Sequence, residues 1–358
     1  MHLPTECLMI DAPTVTVVIP CRNEEPFIGG CLDSLMRTTY PLDKLTVLVL
    51  DGMSDDATRD IIESYAKRSS FIRLVDNPER RIPNALNIGV AQAKGEVIMR
   101  MDAHSKYGPD YIAQCIKYMR DYGADNVGGR FVITPRDDRL LSHSIAAAYG
   151  HPFGVGNARY RLSTTDGKAA EPMWEDVVPF FACRREVFEQ VGGFNEKLAR
   201  SEDVDFSRRL TQLGFRTLLV PSITIAYYPR TSLVSFLRHN LLNGEWAILP
   251  IKYTGSTPVK VRHLAPLALL TSLLLFSVLS FVSILFLLPL VAIGGAYLGA
   301  NLYSSVTLGL RQRNIRMIFL LPFVFGGFHF SYGAGSLIGI FKVLISNPLA
   351  FFRAPRAG

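Results

Sequence analysis

An α/β domain, built on a mostly parallel mixed sheet with helices on both faces and followed by transmembrane helices, is the architecture this sequence predicts. Short β-branched runs alternate with segments of helical period through residue 133, the pattern of βαβ units. Residues 264–288 and 290–310 hold no charged side chain, and 317–341 hold none apart from His329. Each run reaches the ~20 residues a helix needs to cross a hydrocarbon core. Charge divides at the same place. Nine Lys and Arg follow Glu245 and no acid does, so the formal +7 of the 358-residue chain resolves into about −2 before that point and +9 after it.

The elements follow in order. Residues 15–19 are a β-branched run closed by Pro20, a buried strand; 26–36 place Phe27, Ile28, Cys31, Leu32 and Leu35 at helical spacing. A second strand (45–50) and helix (57–66) follow, then a third strand (71–75) and helix (84–93). The fourth strand, 95–101, precedes a helix at 109–122 and a strand at 126–133. A parallel sheet binds ligands beyond the carboxyl ends of its strands, which directs attention to the segments after Ile19, Leu50 and Met101.

Those segments are polar. Pro20-Cys21-Arg22-Asn23-Glu24-Glu25 can present backbone donors at a helix start. In Asp51-Gly52-Met53-Ser54-Asp55-Asp56, Ser54 or Asp55 is expected to cap the next helix, while Asp51 ends the strand and is expected to face the crevice. Asp102-Ala103-His104 offers a carboxylate and an imidazole two residues apart, a possible metal pair. His143 and His151 have no metal-ligand spacing; His329, a titratable group within an apolar run, is a functional candidate, such as a contact to a lipid head group.

The basic residues of the tail are separated by apolar runs, which argues for a lipid bilayer and against nucleic acid as partner. The start of the chain has neither the basic nor the apolar region of a signal peptide. The five cysteines (Cys7, Cys21, Cys31, Cys115, Cys183) form no metal pair, and their odd number forbids a full disulfide set, as expected of reducing cytoplasm. Lys252, Lys260 and Arg262 precede the first apolar run, no cation separates the first two, and Arg311, Arg313 and Arg316 follow the second. The first two spans then form a hairpin whose tip faces away from the cytoplasm. A crossing third span would carry Lys342, Arg353 and Arg356 outside, whereas Gly326, Gly327, Gly333 and Gly335 would permit a re-entrant or lying segment.

With these motifs in view the chain resembles the family 2 glycosyltransferases, which have the GT-A nucleotide-sugar-binding fold. The likeness rests on 17–24 as the opening strand and loop, 50–58 as the nucleoside-binding loop, Asp102-Ala103-His104 in place of the metal-binding Asp-x-Asp, and Ser201-Glu202-Asp203 as the acid pair. Within the family it is most similar to the membrane-attached succinoglycan-type exopolysaccharide glycosyltransferases. Tyr107-Gly108-Pro109-Asp110-Tyr111 after Asp102-Ala103-His104, residues 124–129, residues 156–161 and Tyr228-Pro229-Arg230 carry that likeness. Two departures stand out: Gly52 where many relatives have a second Asp, and His104 in place of Asp.

The resemblance implies inverting transfer of a sugar from a nucleoside-diphosphate sugar, a UDP-sugar first among them, to a polyprenyl-diphosphate-linked saccharide in exopolysaccharide or cell-surface glycan synthesis. It implies Asp203 as base with Glu202 as its neighbour, and Pro20, Arg22, Glu24, Asp51, Asp102 and Arg238 toward the nucleotide sugar. Asp102 and His104 would hold a divalent metal, Mn2+ or Mg2+, and Trp174 and Trp246 would serve the acceptor. As alternatives, Glu202 and Asp203 only complement a helix dipole, Trp174 fills core, and Arg238 anchors an amphipathic segment at the membrane interface. The organisation expected is a catalytic domain at 1–230, an interfacial acceptor-side segment at 231–262 and a membrane domain at 263–358, multi-pass in the cytoplasmic (inner) membrane with the catalytic domain in the cytoplasm. Other polysaccharide-assembly proteins are further implied partners. A transferase that charges polyprenyl phosphate directly, and a catalytically silent membrane scaffold, are the rival functions; a polysaccharide channel fits three segments poorly.

Overall fold

The computed structural model describes residues 12–162, 171–254 and 260–346; Cys7, the start of the chain, Arg353 and Arg356 lie outside the described residues. Two compact units form, Met1–Val132 with Thr164–Tyr227 and Ile133–Ser163 with Tyr228–Gly358. The chain begins β1 (Val15–Cys21), α1 (Glu25–Met36), β2 (Leu45–Asp51), α2 (Thr58–Arg68), β3 (Ile72–Asp76), α3 (Ile82–Gln92), β4 (Val97–Arg100), α4 (Tyr111–Tyr122) and β5 (Asn126–Ile133). Each of these elements falls within two residues of the boundaries its periodicity predicts. The chain then contributes α5 (Leu140–Tyr149) and α6 (Pro152–Val155) to the second unit. It returns with β6 (Met173–Trp174), β7 (Ala182–Arg184), α7 (Arg185–Val191), α8 (Glu202–Gln212) and β8 (Thr217–Tyr227).

The first unit is organised by one eight-stranded sheet in the order β3-β2-β1-β4-β7-β5-β8-β6. β3, β2, β1 and β4 are parallel, and β7 inserts antiparallel between β4 and β5. With three residues, β7 is too short to show a period in sequence. Val17, Ile19, Val47, Val49, Leu50 and Met99 are fully buried, as strands covered on both faces require. Chain order reverses between β1 and β4, a topological switch point where such sheets open a crevice. The pairings Cys21↔Asp51 and Val18↔Arg100 bring the carboxyl ends of β1, β2 and β4 to that edge.

The second unit continues with α9 (Leu233–Ile248), α10 (Ile251–Thr254), α11 (Ala265–Leu279), α12 (Leu287–Arg311) and α13 (Ile315–Ser346). Its core joins Ile145 and Tyr149 of α5, Phe236 of α9, Leu308 of α12 and Leu321, Phe325 and Phe328 of α13. Glycines let α9 and α13 touch backbone to backbone: a Cβ at Gly244 would overlap the Tyr332 carbonyl, and one at Gly335 the Leu241 carbonyl. The Ser336 hydroxyl adds a hydrogen bond to the Gly244 carbonyl at 3.1 Å.

The stretches 284–311 and 315–346 are long and apolar enough to cross a membrane. Over the first apolar run α11 spans 15 residues or about 22 Å, and a turn over 280–283 with a short 3-10 helix, Ile284–Phe286, leads into α12. Ser283 caps this turn through the Leu285 amide, and Pro289 sits in the first turn of α12, where its missing N–H costs nothing. Phe281 at the turn is 93% exposed and Val282 79%, apolar surface that calls for cover. The third run is one 32-residue helix, α13, whose Gly335 serves close packing. His329 differs from its expectation: its Nε2 lies 2.8 Å from the Phe153 carbonyl oxygen and its Nδ1 3.0 Å from the Tyr297 hydroxyl. A carbonyl only accepts, so Nε2 carries the proton and the Tyr297 hydroxyl donates to Nδ1 of the neutral ring. Both nitrogens are thus engaged in joining α6, α12 and α13, not in a head-group contact.

Candidate active site

The loops after β1 and β2 bind each other. The amides of Asn23, Glu24 and Glu25 donate to Ser54 Oγ (2.9 Å), Thr58 Oγ1 (2.8 Å) and Asp56 Oδ2 (3.2 Å), and the Asp55 amide donates to Asn23 Oδ1. The donors expected to await an anion at this helix start are therefore already engaged. Neither Ser54 nor Asp55 caps α2: its N-cap position is Ala57, and Asp56 Oδ1 accepts the amide of Thr58, the first helical residue. Asn23 and Met53 both adopt left-handed backbone, with φ of 54° and 55°, at about 1–2 kcal/mol each.

Asp51 is fully buried, in contrast to the crevice-facing carboxylate expected. Its oxygens accept from the Ser54 amide (3.0 Å), the Ser54 hydroxyl (2.5 Å) and Arg59 Nη1 (2.7 Å), and Arg59 Nη1 also reaches Asp76 at 2.9 Å. The carboxylate is satisfied within the protein, and it ties β2, α2 and β3 together. Pro20 is the penultimate residue of β1, paired with Leu50. Arg22 is exposed, and its aliphatic stem lies over Gly52: a Cβ there would meet Arg22 Cβ at 3.1 Å. The missing second carboxylate at this position is thus the space that the Arg22 stem occupies.

The end of β4 is organised differently. Arg100 is buried, and its Nε donates to Asp102 Oδ1 at 3.0 Å while its Nη1 donates to Glu202 Oε1 at 3.2 Å. Burial opposes the guanidinium charge, and Asp102, Glu202 and Asp203 more than offset it, so the Arg100 pKa is raised. The Asp102 amide donates to the Tyr107 hydroxyl at 2.7 Å, and the Pro109 carbonyl accepts the Thr39 amide. The Tyr-x-Pro motif therefore fixes the loop that carries Asp102. Asp102 keeps partial exposure, and His104 Nδ1 lies 3.4 Å from Glu24 Oε1. Glu24 and His104, read from separate loops, thus meet. Cys31 lies under this loop with its Sγ 3.7 Å from the Asp102 carbonyl, and burial pushes its thiol up to about 12, an inert state.

Helix α8 supplies the acids. Ser201 precedes it in left-handed backbone (φ 63°), and Glu202 opens it. Phe206, fully buried, locks the helix into a ring cluster with Phe188 (centroids 4.9 Å) and Phe194 (4.8 Å). Asp205 and Arg209 pair at 3.0 Å, and Arg209 also donates to the carbonyls of Val191 and Gly193. Glu202 is buried and its pKa is raised, by burial first and by Asp203 second, with Arg100 opposing. Asp203, its neighbour, stays half-buried. Two carboxylates in one turn, one enclosed and one accessible, are positioned to divide acid–base work.

The structure therefore gathers Asp102, Glu202 and Asp203 around Arg100, the residue that sequence reasoning missed, and sets Glu24 against His104, two residues beyond Asp102. The signal was present: a cation within the apolar run Val97-Ile98-Met99-Arg100-Met101 cannot be buried without acidic partners. Trp174 falls elsewhere. It is 41% exposed on the edge strand β6, under Arg216 at 3.6 Å from the ring centroid, with β7, β5 and β8 between it and β4. At ~4.8 Å per strand that is about 19 Å from the Asp102 strand, and its exposure also rules out a core role. Arg238 and Trp246 belong to the second unit, both on α9, with Arg238 exposed.

Comparison with known proteins agrees with this frame. The sequence model of Glycosyl transferase family 2 matches residues 16–192, from β1 through α7. The chain is 29% identical over 252 residues to succinoglycan biosynthesis protein ExoA of Rhizobium meliloti (strain 1021), covering 66% of this chain and 74% of that protein. It is 24% identical over 336 residues to a dolichyl N-acetyl-alpha-D-glucosaminyl phosphate glucuronosyltransferase of Methanococcus voltae, covering 92% and 97%. A mannosyltransferase from Pyrobaculum calidifontis, solved with GDP-Man and Mn2+, superposes with a TM-score of 0.58 at 20% identity over 93% of this chain and 88% of that one. It shares the GT-A fold. The chain is an enzyme of the glycosyltransferase class and belongs to glycosyl transferase family 2.

Proposed function

We propose that this enzyme transfers a sugar, with inversion, from a nucleoside-diphosphate sugar (a UDP-sugar first among them) to a lipid-linked saccharide in exopolysaccharide or cell-surface glycan synthesis. The observation that carries the reading is the Arg100 bridge between Asp102 and Glu202, with the accessible Asp203 beside it. Asp203 takes the proton of the acceptor hydroxyl as that oxygen attacks the anomeric carbon opposite the departing diphosphate, and a single displacement inverts the centre. Glu202 is held in place beside Asp203 by Arg100.

A divalent metal fits the donor set in part. Asp102 offers carboxylate oxygen and His104 imidazole nitrogen, with Glu24 at 3.4 Å to orient the ring. Among the described residues no three metal-ligating side chains cluster, so diphosphate and water oxygens would have to complete the shell. When bound, Mn2+ or Mg2+ would supply charge neutralisation of the departing diphosphate. The apolar pair α11 and α12, with Lys252 and Lys260 before it and Arg311, Arg313 and Arg316 after it, supports a multi-pass protein of the cytoplasmic membrane with its catalytic unit in the cytoplasm. The names of the relatives from Rhizobium meliloti and Methanococcus voltae support an acceptor from glycan assembly.

The test is a donor screen on membrane fractions, scoring nucleoside diphosphate release with and without Mn2+. Release is expected with one donor, dependent on an added lipid-linked saccharide. Equal turnover on bare polyprenyl phosphate would replace the acceptor assignment, and no release with any donor would contradict the reading.

A further inference from the structure

In the second unit a groove of about 760 Å3 runs between the end of α9 with α10 and the end of α13. Its size is that of a small-molecule site, and its lining is of two kinds. Leu249, Ile338, Phe341 and Ile345 form an apolar wall, part of it on a helix long and apolar enough to cross a membrane. Lys252 and Lys342 provide the cationic groups, flanked by Trp246 and Tyr253.

The charge balance selects the ligand. Glu245 is the sole carboxylate of the lining, and Lys342 Nζ sits 2.7 Å from its Oε1. That pair is neutral, and Lys342 keeps about half its side chain exposed (53%) while Glu245 is buried. Lys252 is therefore the net charge of the groove, and no acidic residue follows Glu245 anywhere in the chain. A cationic mouth over an apolar wall suits a compact anion on a long apolar tail. Aromatic side chains of the Trp and Tyr type favour the boundary between the two media.

We propose that this groove binds the phosphate-bearing end of a long-chain lipid phosphate, the lipid half of the acceptor. The inference rests on the reading of the protein as a transferase for a lipid-linked acceptor and assigns the site that would hold that lipid. Lys252 meets the phosphate oxygens, Lys342 shares its remaining donors between Glu245 and the phosphate, and the tail follows Phe341 and Ile345.

The chain has two tryptophans, so a full-length Trp174→Phe protein in nonionic detergent reports on Trp246 alone. Its emission is titrated with geranylgeranyl phosphate, geranylgeraniol, inorganic phosphate and phosphatidylglycerol. A saturable change is expected with geranylgeranyl phosphate, with each of the other three at least tenfold weaker, and Lys252→Ala should weaken the phosphate lipid at least tenfold. Because Lys342→Ala would strand a buried Glu245, the second variant is Lys342→Ala with Glu245→Gln, which should weaken binding similarly at unchanged helix content. An equal response to geranylgeraniol would make the groove a purely apolar contact, an equal response to phosphatidylglycerol a bulk-lipid contact, and an equal response to inorganic phosphate a free-anion site. Each overturns the proposal, as does indifference to Lys252→Ala. Donor-nucleotide release is scored separately: release with a flat titration removes the groove and leaves the functional reading, while binding without release does the reverse.

Discussion

Asp51 and Asp102 look alike in sequence and are opposites in structure. Each lies at the carboxyl end of a buried strand in the parallel half of the sheet, Asp51 as the last residue of β2 and Asp102 two residues beyond β4. Asp51 is fully enclosed, with donors from Ser54 and Arg59 on both oxygens. Asp102 is partly exposed and shares its charged partner Arg100 with Glu202. The first carboxylate spends its hydrogen-bonding capacity on the scaffold, and the second keeps capacity for a substrate. Position at a strand end marks where chemistry can occur; the partners decide whether it does.

The comparison can be broken most sharply at the catalytic end. Asp203→Asn is expected to lower nucleotide release by about 10³-fold or more while circular-dichroism melts stay close to wild type, since Asp203 is half-buried. On the scaffold side, Asp51→Ala removes a buried carboxylate that accepts from Ser54 and Arg59 and leaves Arg59 to Asp76 alone, and each lost hydrogen bond to a charged group costs about 1.5–3 kcal/mol. Denaturant titration should therefore show a large loss of stability. Arg100→Met uncovers two carboxylates at once, 3.0 and 3.2 Å from the lost guanidinium. Both activity and stability should fall, with Arg100→Lys recovering part of the stability but less of the rate, because one ammonium cannot reproduce the fork.

Smaller effects sharpen the same contrast. Burial and Asp203 raise the Glu202 pKa above its unfolded value, to about 7. The folded state then holds this proton more tightly than the unfolded chain, so its stabilising contribution is complete below the unfolded pKa near 4.5 and is lost as pH rises through about 7. Glu202→Gln, which cannot ionise, should accordingly gain stability relative to wild type between pH 5 and pH 8, measured as the difference in Tm at each pH. The least effect is expected at the metal position: His104→Asp should shift the Mn2+ to Mg2+ activity ratio toward Mg2+ by less than about tenfold, since carboxylate suits the harder ion better than imidazole.

Much of the fold was legible because it is periodic. Through residue 133 the alternation of β-branched and helix-period segments located every element, and the end of each strand located the crevice. The short β7 was not legible, because three residues carry no period. Nor was the Ser54 role: a hydroxyl three residues after an acid reads equally as a helix cap or as a partner for that acid, and Asp51 won it. Trp174 misled for another reason, since a motif's neighbours in sequence need not be its neighbours in the sheet, and β6 lies at the edge. Arg100 was not legible because a lone cation inside an apolar run gives no sign of its partners, and Glu202 lies about a hundred residues away in sequence.

The most direct test compares Asp51→Asn with Asp102→Asn, measuring donor-nucleotide release per folded molecule after denaturant titration of each. The expected result is an Asp102→Asn protein that is folded and nearly silent, and an Asp51→Asn protein that is less stable yet retains most of its rate per folded molecule. The opposite pattern, a stable but silent Asp51→Asn and an active Asp102→Asn, would contradict the assignment of the active centre to the Arg100-bridged acids.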